Sequence, residues 1–110
     1  EPEPDVAVVA GDVFSLRGVP TTAVLVVEVA DTTLARDRNV KGSFYASANI
    51  AEYWIVNLQN RQLELHRAPQ VDTNSLLGWK YAEICIFEAN EKIAPLAKSD
   101  AEVFVGDLLP

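Results

Sequence analysis

Methionine is absent from the 110 residues, and cysteine and histidine each occur once. The single thiol, Cys85, excludes an internal disulfide and a thiolate metal cluster, and it suits a reducing, cytoplasmic setting. Cys85 lies in the apolar run "WKYAEICIF", so it reads as a buried structural thiol rather than a nucleophile. Long hydrophobic runs are missing too. The longest, Ala23 to Val27, is far too short to cross a bilayer, and no signal-peptide pattern opens the sequence. Basic residues are scarce: 9 against 16 acidic ones, a net charge of −7. That balance argues against nucleic-acid binding driven by the whole surface. Local recognition stays open, because eight of the nine Lys and Arg fall between Arg36 and Lys98.

What is present patterns as alternating strands with one helix. The opening "EPEPD" reads as an extended, Pro-rich lead-in, and "DVAVVAG" as a short strand entered from Pro4 and closed by Gly11. "FSLRGVPTT" reads as a loop broken by Gly18 and Pro20. "AVLVVEVA" is apolar at nearly every position, as a central strand covered on both faces would be. Asp31, Thr32 and Thr33 offer N-caps for a helix over about 34–48, with Val40, Phe44 and Ala48 on its inner stripe. "EYWIVNL" is a third strand, and Gln59-Asn60 turns it into "RQLELHR". There Leu63 and Leu65 alternate with Glu64 and His66, which predicts one covered face and one wet face, with His66 on the solvent side. "APQVDTNSLLG" connects to the strand "WKYAEICIF", and "AEVFVGDLL" reads as a last short strand. The expected architecture is α/β or α+β: a mixed sheet, one helix packed on it, and a crossover joining two parallel strands.

One residue breaks the apolar logic. Glu28 stands inside the second long strand, and a buried lone carboxylate needs a cation or hydrogen-bond donors. A structural salt bridge, with Lys41 as its partner, is the simplest answer. Asp37 and Lys41, spaced i, i+4, read by themselves as a helix-surface ion pair, and Asp5 as a solvated acid at a strand start. A sharper reading brings Asp5 and Glu28 together across neighbouring strands. Two carboxylates sharing a site repel unless a cation or proton lies between them, and oxygen ligation is what magnesium prefers. A nearby lysine then stabilises a phosphate oxygen or orients a water, as metal-assisted phosphodiester hydrolysis requires.

Pro4-Asp5 followed by Glu28-Val29-Ala30 resembles the PD-(D/E)xK nuclease pattern with its last lysine missing. "PDVAVV", "VVEVADTT", "RDRNVKGSFYA" and "AEYWIVNLQNRQLELHR", in that order, closely resemble the Uma-type (Uma-two group) restriction endonuclease family. The resemblance runs from Pro4 to about Arg67 and loosely beyond. It implies a restriction-endonuclease-like fold and a magnesium or manganese site held by Asp5, Glu28 and the backbone carbonyl of Val29. It also implies that Lys41, delivered from the helix, replaces the strand lysine absent at Ala30, with Asp37 anchoring it. DNA is the implied substrate and a homodimer the implied assembly. Asp31 stands where many members carry serine. Family domains usually have a further front portion, so residues 1–110 read as a single domain lacking that portion. A rival from another class is a degenerate or truncated, non-catalytic member acting as a dimeric interaction module, which the acidic balance favours. Tyr53, Trp54, Trp79, Tyr81 and Phe87 read as core or interface rather than base-stacking residues.

Overall fold

The computed structural model describes residues 24–109 in full and, for 6–9, 13–15 and 23, the strand backbone. Six strands form one sheet: β1 (Val6–Val9), β2 (Val13–Ser15), β3 (Ala23–Ala30), β4 (Glu52–Asn57), β5 (Gln62–Val71) and β6 (Trp79–Glu88). Their order is β2-β1-β3-β4-β5-β6. β3 and β4 run parallel, with Glu28 opposite Ile55, and every other pair is antiparallel. This is the mixed, α+β sheet expected, with the helical crossover between β3 and β4. β2 is an addition, since it occupies part of the stretch read as a loop. Short strands β7 (Lys92–Ile93) and β8 (Val103–Phe104) pair with each other instead of joining the sheet. Backbone bonds from Val105 to Glu91 and from Gly106 to Ala89 turn the chain into a 3-10 helix, Val105–Leu108, so the predicted last strand stops early.

The helical crossover comprises α1 (Leu34–Arg36), a π-helical stretch (Asp37–Lys41) and α2 (Gly42–Ser47). Thr33 holds the N-cap position, yet its hydroxyl donates to Asp37 Oδ2 at 2.9 Å instead of capping a backbone N–H. At the far end Asn49 adopts φ 58°, Asn49 N–H bonds to Ala46 and Ile50 N–H to Tyr45. That is a Schellman closure, with Asn in the left-handed position it tolerates better than most residues. The inner face differs from the expected stripe. Val40 and Ala48 are exposed and Phe44 is half-buried, whereas Asp37, Gly42, Ser43, Tyr45 and Ala46 are buried. The π turn places one extra residue in the helix and so rotates α2 about the helix axis. Small Gly42, Ser43 and Ala46 then let the backbone approach the sheet.

Both sheet faces are covered. On the helix side Val26, Ala30, Tyr45, Ala46, Ile50, Tyr53, Ile55 and Tyr81 form one core. On the other, Leu25, Trp54, Val56, Leu63 and Leu65 pack with Ile93, Val105 and Leu109 from the C-terminal segment. Tyr53, Trp54 and Tyr81 are therefore core residues, as expected, with Trp79 and Phe87 at its margins. Three further expectations are overturned. Glu64 and His66 are buried, because the helix covers the face predicted to be wet. Asp37 is buried rather than on the helix surface. Cys85 is exposed, because β6 ends the sheet and packs on only part of its length.

Candidate active site

The inward side of β3 presents Glu28 between Val26 and Ala30, and the helix above it supplies the partners. Tyr45 O–H donates to Glu28 Oε2 at 2.6 Å. Lys41 Nζ lies 3.3 Å from the same oxygen and 3.2 Å from Asp37 Oδ1. The salt bridge expected of Glu28 is therefore present, and the same ammonium binds a second carboxylate. Glu28 and Asp37 are each 1 % exposed, while Lys41 retains 21 %, so the cluster opens to solvent through the lysine.

The π turn is what brings these groups together. Gly42 N–H bonds to the Asp37 carbonyl five residues back, and the Tyr53 hydroxyl donates to that carbonyl at 3.0 Å. Tyr53 thus ties the helix to β4 beside the acid cluster. Among the described residues Asp37 Oδ1 accepts no aligned hydrogen bond and has only the ionic contact with Lys41. Burial works against the Lys41 ammonium, but the charges of Glu28 and Asp37 outweigh it and raise its pKa above the ordinary lysine value. Burial, with Glu28 and Asp37 adding to it, pushes the Tyr53 phenol up, so it remains a donor.

The structure brings Glu28, Asp37 and Lys41 into one cluster. Val29 follows Glu28 in β3 and pairs with Val56. Asp5 lies outside the described residues; its sequence neighbour Val6 pairs with Val27, the residue before Glu28. Among the described residues no three His, Cys, Asp or Glu side chains gather as metal ligands. The donors at the cluster are nevertheless carboxylate oxygens, one of them a buried Oδ1 with no aligned donor, and such oxygens suit a hard divalent cation. Among the described residues they are too few to hold such an ion, which would need at least one further acid.

A second charged cluster lies two strands away and was not anticipated. Arg38, from the same π turn, forks onto Glu64 of β5, its Nε 2.9 Å from both carboxylate oxygens and its Nη2 on Oε2. His66 Nε2 lies 3.2 Å from Glu64 Oε1. Burial opposes ionisation of Glu64, but the bonds from His66 and Arg38 prevail and hold the carboxyl at about 2. One signal could have revealed it: Glu64 and His66, two apart in a strand, share a face, and the preceding helix carries an Arg beside Asp37. Reading that face as solvated concealed the link.

No described helix is long and apolar enough to cross a membrane. No curated protein matches the chain. A family model described as "Uma2: Putative restriction endonuclease" matches residues 1–96, and with Glu28, Asp37 and Lys41 gathered beneath its helix the chain belongs to that family, within the PD-(D/E)xK nuclease superfamily.

Proposed function

We propose that the protein is a metal-dependent endodeoxyribonuclease that hydrolyses phosphodiester bonds at the Glu28–Lys41 cluster. The observation that carries this reading is the Lys41 ammonium, delivered by the π turn to 3.3 Å from a buried strand carboxylate while still 21 % exposed. That ammonium is shared by two buried carboxylates, Glu28 and Asp37, and still keeps a side towards the solvent from which a substrate would come. Lys41 would offset charge on the scissile phosphate and orient the attacking water, and Asp37 would hold Lys41 in place. Glu28, the Val29 carbonyl and Asp5 would hold magnesium, or manganese in its stead. When bound, the metal supplies Lewis-acid polarisation of the phosphate and a more acidic water. Asp5 enters through the family resemblance and through the pairing of its neighbour Val6 beside Glu28. A homodimer working on DNA in the cytoplasm completes the proposal, since two sites cut both strands at once.

Supercoiled plasmid incubated with the protein should be nicked or linearised with magnesium and left intact with a chelator. Glu28→Gln should abolish cleavage with the fold retained, checked by circular dichroism. Magnesium should also raise the melting temperature of the wild type and not that of Glu28→Gln. Intact plasmid together with an unshifted melting temperature would sink the reading and favour the non-catalytic interaction module. Sedimentation velocity reads the assembly state directly.

A further inference from the structure

A cavity of about 440 Å³ opens beside the active-site cluster, between the π turn, the β5–β6 connection and the inner face of β6. Its size is that of a small-molecule site. His66 lines it, 2 % exposed. Glu64 engages Nε2, and among the described residues no hydrogen bond engages Nδ1. In a neutral ring, an acceptor at Nε2 fixes the proton there and leaves Nδ1 as an acceptor. With no protein partner at Nδ1 among the described residues and the ring on the lining of a roomy cavity, a donor from a ligand can take the place of water there.

The rest of the lining narrows what that donor belongs to. Trp79 and Tyr81 contribute rings, Asn39 an amide, and Arg38 and Lys80 cationic heads that are 43 % and 48 % exposed. Aromatic walls, an amide and an acceptor suit a planar heterocycle with an N–H; Arg38 and Lys80, paired with Glu64 and Asp72 yet part-exposed, suit a phosphate outside it. Arg38 and Lys41 are three apart on the helix that borders both places, so they are surface neighbours. Glu64 lies in the same row across the sheet as Glu28, through Ile55, which puts the two carboxylates roughly 10 Å apart by two interstrand spacings.

We propose that this cavity is a nucleotide subsite: a nucleobase enters it and donates an N–H to His66 Nδ1, while its phosphate stays outside near Arg38 and Lys80. The choice of ligand class rests on the nuclease reading. The geometry of the subsite does not. Glu64 is a positioning residue, because it holds the His66 ring and touches the base only through it.

His66 is the chain's single histidine, so its ring ¹⁵N signals are unambiguous. The test titrates the metal-free protein, in chelator, with single-stranded oligodeoxythymidylate, with an abasic oligomer carrying equal phosphates, and with thymidine 5′-monophosphate. Oligodeoxythymidylate should shift the Nδ1 signal saturably and bind about tenfold tighter than the abasic strand, a modest share of one stacked base. His66→Phe should remove that preference; Trp79→Leu provides the same test should His66→Phe fail to fold. Equal saturation of the shift by the mononucleotide assigns the site to free nucleotides, and a need for the oligomer assigns it to a strand. Unmoved His66 signals, or equal binding of the abasic strand, would overturn the proposal. Because no step is cleavage, a failed plasmid assay and a failed titration are separate results.

Discussion

Two glutamates in neighbouring strands are equally buried and differently partnered. Glu52, on the face away from the helix, is 0 % exposed, and structural donors engage both its oxygens. Leu96 N–H binds Oε1 at 2.8 Å, while Trp54 Nε1 and Arg67 Nε bind Oε2 at 2.8 and 2.9 Å. Arg67 goes on to the Ala94 carbonyl, so Glu52 pins the C-terminal segment onto the sheet. Glu28, on the helix face, is held by a phenol and by an ammonium still open to solvent. Burial of an acid is therefore not itself a sign of chemistry. What separates the two is where the cation goes next: Arg67 continues to a backbone carbonyl, whereas Lys41 continues to a second buried carboxylate, Asp37.

The contrast is sharpest in stability. Glu52→Gln puts an amide N–H₂ among donors and leaves Arg67 without its partner, and should cost about 3–5 kcal/mol in urea unfolding. Glu28→Gln keeps an oxygen for Tyr45 while Lys41 keeps Asp37, and should cost about 1 kcal/mol. Equal losses from the two variants would erase the distinction. Activity should rank them the other way, with cleavage lost in Glu28→Gln and retained in Glu52→Gln wherever the latter remains folded.

Lys41→Ala should fall between them. It leaves two carboxylates, each 1 % exposed, facing each other without their shared cation. The cost should be about 2 kcal/mol, below that of breaking a fully buried pair because the ammonium is already part-solvated. Adding Glu28→Gln to Lys41→Ala should restore part of the loss, which denaturant titration of the four-member cycle measures. A fully additive cycle would mean that Lys41 and Glu28 do not interact. The consequence for catalysis is practical: loss of cleavage in Lys41→Ala counts only when assayed well below its melting temperature.

The succession of elements along the chain apart from β2, the parallel crossover and the Glu28–Lys41 pairing were legible because each rests on a local pattern: β-branched runs, breakers, and an acid that needed a cation. The π turn was not, since no residue in "DRNVK" announces an extra residue per turn, and with it went the helix face and the burial of Asp37. Glu64 and His66 were misplaced for a related reason. Alternation in β5 signals two different faces, but a face with Glu64 and His66 on it can still be covered when a helix brings Arg38 to it. Cys85 failed on position in the sheet, which periodicity along one strand does not encode.

Acid tests the second cluster with a smaller effect. Glu64 has its carboxyl lowered from 4.5 to about 2, so its contribution to stability is complete above 4.5 and is lost as pH falls towards 2. Wild type should therefore lose melting temperature through that window faster than Glu64→Gln, and the difference between the two curves isolates this group from the other acids. Parallel curves would mean that Arg38 and His66 do not hold Glu64 ionised.

The smallest effect belongs to the open end of the sheet. A buried thiol in a strand would resist modification and would tolerate serine poorly, because a hydroxyl in an apolar site lacks a partner. An exposed one does neither. Cys85→Ser should change unfolding free energy by less than about 0.5 kcal/mol, and Cys85 in the native protein should react with a thiol reagent as fast as in urea. Protection of that thiol in the folded protein, relieved by dilution, would instead show that β6 is covered by another chain in solution, and the comparison of a closed and an open region would then move from the two faces of the sheet to its edge.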